Sequence, residues 1–155
     1  MTILTPECVI LIGLPAAGKT TFYHQNFAET HRHVSKDLWP HAAGRDARQR
    51  RAVSDALADG ASVVVDNTNP TIAERAAIIA VARTHGARVV GYFFDVTSRA
   101  AVARNAGRSA GQKVPNVAIF TVAKRLEPPT LTEGFDQLFR IQLAPDRTLS
   151  VSPAT

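Results

Sequence analysis

A loop suited to holding phosphate is the first chemical feature of the sequence. The string "GLPAAGKT" matches the pattern G-x-x-x-x-G-K-[ST] and directly follows the apolar run "CVILI". Glycines at both ends allow successive backbone N–H groups to point into one concavity, and the helix expected next adds its positive N-terminal end. We predict that the lysine reaches the β and γ phosphates of ATP and that the threonine hydroxyl ligates Mg²⁺. The predicted nucleotide-contacting residues are Gly13, Leu14, Pro15, Ala16, Ala17, Gly18, Lys19, Thr20 and Thr21.

Two carboxylates follow the next two strand-like segments. Asp37 ends the string "VSKD", and Asp66 begins the string "DNTN" after three valines. Ligands of parallel sheets gather outside the carboxyl ends of the strands, so both carboxylates are expected beside the phosphate loop. Asp37 is predicted to orient an acceptor hydroxyl and take its proton, with a helix N-cap as the alternative. Asp66 is predicted to hold the Mg²⁺ shell, and an Asx turn in the same string is compatible with that role.

The residues after Asp66 argue against one class of ATPase. Motor ATPases place a water-activating carboxylate there, whereas "DNTN" offers amides, which do not activate water.

Short β-branched runs alternate with helical segments along the chain. Strands are predicted at "CVILIG", "RHVS", "SVVVD", "ARVVGYFFD" and "LFRIQL", and helices are predicted to begin near Thr20, Gly44, Thr71 and Ser98 and after Pro115. This alternation predicts an α/β, three-layer P-loop NTPase fold with a mostly parallel, five-stranded sheet. We expect one domain over residues 1–143 and a flexible C-terminal tail over residues 144–155.

The composition predicts a single core with a basic surface. The chain has 155 residues, of which 45% are hydrophobic, and a net charge of +5. One cysteine excludes an internal disulfide, and the first residues lack the basic start of a signal peptide, so a cytoplasmic location is predicted. No acidic residue lies between Asp95 and Glu127, although six lysines and arginines do. This interval is predicted to attract polyanions, with a solvated basic surface as the alternative.

Several further motifs, taken in order, resemble those of a known family. The strings "GLPAAGKTTF", "VSKD", "DNTNPTIAER", "ARNAGR", "KVP" and "EPPTLTEGFDQLFRI" follow one another much as they do in the kinase half of the polynucleotide kinase/phosphatase repair enzymes. The likeness runs from about Val9 to Leu143. It implies a nucleic acid repair kinase that uses ATP and Mg²⁺ to phosphorylate the 5′-hydroxyl end of DNA or RNA. The phosphatase string D-x-D-G-T is missing, so 3′-phosphatase activity is not expected.

The resemblance also implies roles for individual residues. Asp37 resembles the general base that takes the 5′-hydroxyl proton, and Asp66 resembles the aspartate that orders the acceptor pocket. Arg104 and Arg108, in "ARNAGR", resemble lid arginines that close on the phosphates of ATP. The predicted catalytic residues are therefore Lys19, Asp37, Arg104 and Arg108, and the predicted metal ligands are Thr20 and Asp66.

A second group of residues is predicted to contact the acceptor. Trp39 is a candidate for stacking on the terminal base, and packing in the core is its alternative. Arg75 is a candidate for an acceptor phosphate, and facing water is its alternative. The five histidines show no zinc-binding spacing. The full predicted acceptor set is Lys36, Trp39, Asp66, Asn67 and Arg75.

Three classes of function remain open at this point. The first is a 5′-hydroxyl polynucleotide kinase, whose partners are nucleic acid ends. The second is a P-loop kinase for a small hydroxyl compound such as a nucleoside, a sugar, an antibiotic or an aminoacyl-tRNA terminus. The third is a non-catalytic nucleotide-binding module, which the joint presence of Asp37, Asp66 and the lid arginines disfavours.

Overall fold

A twisted sheet with helices on both faces forms the centre of the molecule. The computed structural model describes residues 5–146 and 148–155. Its six strands have the order β2-β3-β1-β4-β5-β6, and all neighbouring pairs are parallel except β5 and β6. The strands are β1 Glu7–Ile12, β2 His31–Val34, β3 Ser62–Asp66, β4 Arg88–Phe94, β5 Gln137–Leu143 and β6 Leu149–Pro153. The predicted α/β P-loop fold is confirmed, but the prediction of five strands is wrong.

Within the described residues, five α-helices connect the strands, and each begins within one residue of the position that the sequence predicted. They are α1 Lys19–Asn26, α2 Arg45–Ala58, α3 Ile72–Thr84, α4 Ser98–Ala106 and α5 Asn116–Arg125. The start of α3 shows why the sequence was informative. The Thr71 side chain accepts a hydrogen bond from the Glu74 backbone N–H, and the Glu74 carboxylate accepts one in return from the Thr71 N–H. Such a capping box fixes the first turn of a helix.

Alternate residues of β1 belong to two separate cores. Cys8, Ile10 and Ile12 pack with apolar residues of α2 and α3, whereas Val9 and Leu11 pack with those of α1, α4 and α5. This follows from the period of two along a strand, and it explains why β1 is apolar from Cys8 to Ile12. Burial raises the pKa of the Cys8 thiol to about 12, in agreement with a packing role.

The C-terminal region contains the sixth strand. Residues 144–155 were predicted to be a flexible tail, but β6 pairs antiparallel with β5, with Ile141 opposite Val151. Four of the five residues of β6 lie at the surface, so this strand does not need the apolar residues that the buried strands contain. The prediction of a flexible tail is therefore corrected over the residues of β6.

The parallel strands align their carboxyl ends on one edge of the sheet. Leu11 of β1 pairs with Asp66 of β3, and Val34 of β2 pairs with Val65. The loops after these three strands therefore begin at the same level. In the described part of the chain, no helix has the length and apolar character needed to cross a membrane.

Candidate active site

The phosphate loop is held between two other strand ends. The Gly13 N–H donates to the Thr68 carbonyl over 3.0 Å, and a Cβ atom on Gly13 would stand 2.9 Å from the Cβ of Phe94. Gly18 has a φ of 101°, a backbone conformation that favours glycine, and it directly precedes the first residue of α1. No side chain caps this helix. Its first N–H groups therefore remain available to a phosphate.

Lys19 is buried within its own loop. Its Nζ donates to the carbonyls of Gly13, over 3.0 Å, and Leu14, over 2.5 Å. Burial lowers the pKa of Lys19 to about 8; the charge of Arg108 acts in the same direction, and those of Asp66 and Asp37 oppose it. Arg108, Asp66 and Asp37 thus all lie within electrostatic range of Lys19. An anionic phosphate beside the ammonium would favour its charged form.

Asp66 receives two hydrogen bonds on one carboxylate oxygen. The Thr20 hydroxyl donates to Oδ2 over 2.7 Å, and the His33 Nε2 lies 2.8 Å from the same oxygen. Asp66 is 4% exposed, so this oxygen is fixed in place. The His33 ring is held in turn by stacking on Tyr23, with ring centroids 4.2 Å apart and planes 14° apart.

His33 is a site residue that the sequence did not predict. In the register of the sheet, His33 of β2 lies beside Val64 of β3, which is two residues before Asp66. Because side chains alternate between the two faces along a strand, those of His33 and Asp66 lie on the same face. The histidine-rich string "HRH" could have drawn attention to this strand, but the register that brings His33 to Asp66 is not contained in the string.

The donor atoms at this point suit Mg²⁺. A threonine hydroxyl and an aspartate carboxylate are oxygen ligands, which Mg²⁺ prefers, and they lie in contact beside the phosphate loop. Among the described residues no group of three or more His, Cys, Asp and Glu side chains could by itself hold a metal ion. A Mg²⁺ ion would therefore need phosphate oxygens and water to complete its ligands here.

Asp37 lies in a short 3-10 turn, Lys36–Leu38, directly after β2. The Ser35 hydroxyl caps this turn by accepting the Asp37 N–H over 3.2 Å. Ser35, and not Asp37, therefore caps this turn. The Asp37 side chain is exposed. We call residues 35–39 the base segment.

Asn67 anchors the base segment to the sheet and to α2. Its Oδ1 accepts the Lys36 N–H over 2.9 Å, and its Nδ2 donates to the Gln49 side chain of α2. Asn69, also buried, donates from Nδ2 to the Leu11 carbonyl of β1 over 2.7 Å. The side-chain amides of Asn67 and Asn69 therefore fix the loops that follow the strands at this edge of the sheet.

Arg104 lies over the phosphate loop. Its Nε donates to the Ala16 carbonyl over 3.0 Å, and its Nη2 would stand 3.1 Å from a Cβ atom on Gly18. Asn105, the next residue, closes the connection from α4 to α5 by exchanging hydrogen bonds with the backbone of Val114. The predicted lid residue Arg104 thus contacts the loop, and Arg108 acts on Lys19 through its charge.

The predicted acceptor contact of Arg75 is wrong. Its side chain is 0% exposed and pairs with Glu133 through Nε and Nη2, over 2.8 and 3.1 Å. It also donates to the carbonyls of Asn69 and Glu127, each over 2.9 Å. All of its donors face inward, because the guanidinium joins two loops of the protein. We call Arg75, Glu133 and these two carbonyls the arginine lock.

Lys36 and Trp39 have partners within the protein. The Lys36 ammonium forms an ion pair with Asp46 in the first turn of α2. Trp39 is half-buried against the core, and the guanidinium of Arg48 covers its ring at 4.7 Å from the centroid. Trp39 therefore packs against the core, which was the alternative to base stacking. It also makes a cation–π contact that the sequence did not indicate.

The fold and this edge of the sheet define a P-loop kinase. The chain belongs to the family described as AAA domain, whose model matches residues 8–129.

The chain also shows sequence similarity to an individual protein. The chain is 29% identical over 133 residues to the bifunctional polynucleotide phosphatase/kinase of Schizosaccharomyces pombe. The match covers 83% of this chain and 32% of the relative, so the chain spans about a third of that protein's length.

Two solved structures illustrate the range of proteins with this fold. A gluconokinase from Sinorhizobium meliloti 1021 is 18% identical with a TM-score of 0.64, covering 90% of this chain and 84% of that one. A fungal RNA kinase is 18% identical with a TM-score of 0.62, covering 92% and 78%. At these identities the likeness establishes the shared fold.

Proposed function

We propose that this protein is an ATP-dependent kinase that transfers the γ-phosphate to the 5′-hydroxyl end of a polynucleotide, DNA or RNA. The observation that carries the proposal is the placement of Asp37. Its carboxylate is exposed and leaves the capping of its turn to Ser35, and its charge acts on the phosphate-loop Lys19. The polynucleotide acceptor is supported by the similarity to the Schizosaccharomyces pombe enzyme. The predicted cytoplasmic location and the link to nucleic acid repair remain predictions.

Phosphoryl transfer requires mainly positioning and charge. Asp37 holds the acceptor hydroxyl and accepts its proton as the hydroxyl oxygen forms a bond to the γ-phosphorus. The bond from the γ-phosphorus to the β–γ bridging oxygen breaks, and ADP leaves. Lys19, Arg104 and Arg108 bind the phosphate oxygens and stabilise the charge that moves onto them. A Mg²⁺ ion, held by Thr20 and Asp66, supplies further neutralisation of the triphosphate when bound.

A second candidate is a kinase for a small hydroxyl compound. The observation in its favour is the shared fold with the gluconokinase, because the donor half of the site does not specify the acceptor. The third class, a non-catalytic nucleotide-binding module, uses neither Asp37 nor the lid arginines.

The decisive experiment uses γ-labelled ATP with Mg²⁺ and a short oligonucleotide that carries a 5′-hydroxyl. We expect the label on this oligonucleotide and none on the same oligonucleotide already phosphorylated at its 5′ end. Asp37→Asn should lower transfer by about a hundredfold or more while ATP binding is kept, because the amide can neither accept the proton nor bear the charge. Asp59→Asn, at an exposed ion pair with Arg32, is the control and should keep wild-type transfer.

The alternative outcomes separate the candidates. Phosphorylation of a small alcohol without labelling of DNA or RNA ends would establish the second candidate. Labelling of ends that is equal in Asp37→Asn and wild type would reject Asp37 as the base and direct attention to Asp66. ATP binding without transfer to any hydroxyl would establish the third class.

A further inference from the structure

Three of the four exposed arginines of helix α2 form a row that begins close to the base segment. Arg45, Arg48 and Arg51 are spaced three residues apart and all lie at the surface. At 1.5 Å of rise and about 100° of rotation per residue, they cover about 9 Å along one side of the helix. We call these three residues the basic stripe. Asp55, one turn beyond Arg51, ends it.

The basic stripe is rigidly connected to Asp37. Arg48 lies over the ring of Trp39, which belongs to the base segment. Gln49, the next residue, accepts a hydrogen bond from Asn67, and Asn67 also binds the Lys36 backbone. The stripe therefore starts beside the candidate base and leads away from it along α2.

Among the described arginines, the three of the stripe differ in their partners from the five that form ion pairs. In residues 5–146 and 148–155, none of the three forms an ion pair with a carboxylate. Asp46, the nearest acid in sequence, is paired with Lys36. Five other arginines each have an acidic partner: Arg32, Arg75, Arg83, Arg125 and Arg140. The stripe thus presents a row of guanidinium groups that form no ion pair with a described carboxylate, although Asp46 lies within electrostatic range of Arg45.

We infer that the basic stripe binds the phosphodiester groups that follow the 5′ end of the acceptor strand. This inference rests on the proposed polynucleotide kinase function and defines the acceptor further. Guanidinium groups bind phosphate oxygens in a bidentate manner, and a row of them fits a chain of anions. A nucleoside or a sugar has no phosphodiester to occupy the row. The site therefore selects an acceptor with at least two or three phosphates next to the reacting hydroxyl.

The test is a series of 5′-hydroxyl oligonucleotides that increase in length from two to eight nucleotides. For the wild-type protein, KM should fall with length until the stripe is filled and then stay constant. In the triple variant Arg45→Gln, Arg48→Gln, Arg51→Gln, KM for the eight-nucleotide acceptor should rise at least tenfold, while kcat and KM for ATP stay within about twofold. The slope of log affinity against log salt should decrease by about two, since each single-strand phosphate contact contributes about 0.7.

Arg50→Gln is the matched control. Arg50 is exposed on the same helix, but it lies two residues after Arg48 and therefore about 200° further around the axis. It also stands about 100° from Arg51, so Arg50→Gln removes one positive charge of α2 from outside the stripe, and KM for the acceptor should change by at most about twofold. The double variant Arg45→Gln, Arg51→Gln keeps the contact between Arg48 and Trp39 and should show an intermediate effect.

Direct binding separates this inference from the proposed function. Fluorescence anisotropy of a labelled 5′-hydroxyl octanucleotide measures affinity without transfer. Binding that depends on the stripe, without phosphorylation, would support the stripe and reject the polynucleotide kinase function. Transfer with a KM independent of length, or an equal KM in the triple variant and Arg50→Gln, would overturn the stripe and retain the kinase. The absence of both binding and transfer would overturn both.

Discussion

Lys19 should make ATP affinity depend on pH. Because burial lowers its pKa to about 8, the protein alone carries mostly neutral Lys19 at pH 9. ATP phosphates favour the charged form, so binding at this pH takes up a proton. We expect ATP affinity, measured by calorimetry in EDTA, to be constant below about pH 7 and to fall above pH 8 by up to about tenfold per pH unit.

The conservative variant gives the control for this pH effect. Lys19→Arg binds more weakly in a loop shaped for lysine, but arginine stays protonated over the whole range and should remove the slope. Proton uptake can be measured independently by repeating the titration in buffers of different ionisation enthalpy. A wild-type affinity that is the same at pH 7 and pH 9.5 would show that Lys19 is charged throughout.

His33 should act on the metal-dependent part of nucleotide binding. His33 and Thr20 bind the same oxygen of Asp66, so His33→Ala frees that carboxylate to rotate. Loss of one hydrogen bond of about 1 kcal/mol corresponds to about a fivefold decrease in affinity for ATP with Mg²⁺. Affinity for ATP in EDTA should change little, because the phosphate loop is intact. Fluorescent nucleotide titrations with and without Mg²⁺ measure both quantities.

Two further variants show whether His33 acts by positioning Asp66. His33→Gln keeps a donor and should restore most of the affinity. His24→Ala removes an exposed histidine that also lies against Tyr23 but makes no hydrogen bond to Asp66, and it should have no effect. Equal losses with Mg²⁺ and in EDTA would contradict the positioning role and indicate a general disturbance of the fold.

At the scale of residues, the sequence could predict which side chains lie at the ends of the strands. It could not predict which side chains from distant parts of the chain contact each other. Asp37 and Asp66 follow short apolar runs, so their location at one edge follows from the fold class. The contact between His33 and Asp66 depends on register, and the burial of Arg75 depends on Glu133, which lies 58 residues away. Neither relation is local in the sequence.

At the scale of elements, capping and periodicity identified the helices and the buried strands. The sixth strand lacked such a signal because it lies at the edge of the sheet. β6 pairs on one side only and exposes most of its residues, so it needs no apolar run. Its string "LSVSP" also contains a proline, which a strand accepts at an edge.

The contact between β4 and β5 gives a prediction about an element. A Cβ atom on Gly91 of β4 would stand 2.7 Å from Phe135 and 2.8 Å from Leu138. Gly91→Ala should therefore overpack this core and lower the free energy of unfolding by about 1 to 3 kcal/mol, as measured by denaturant titration. Gly111→Ala has no heavy atom within 4 Å of the added carbon and should be close to neutral. A stable Gly91→Ala protein would mean that Phe135 can move aside.

At the scale of the whole molecule, different parts of the chain form the donor side and the proposed acceptor side of the site. The phosphate loop and the lid arginine Arg104 are in contact with each other and form the donor side. The base segment and α2 form the proposed acceptor side, on the far side of Asp66. The sequence could predict the first side because its residues belong to the strings "GLPAAGKT" and "ARNAGR". The second side depends on exposed arginines, whose role the sequence alone does not distinguish from solvation.

The arginine lock has a consequence for how such proteins diverge. Arg75 joins the loop that contains "DNTNP" to the segment that contains "EPPTLTEG" and so holds the edge of the sheet together. The basic stripe lies outside the lock and on the exposed face of α2. On the inference above, substitutions in the stripe should alter the preferred acceptor at little cost in folding free energy. A change at Arg75 leaves the Glu133 carboxylate without its partner and should weaken the site for every acceptor alike.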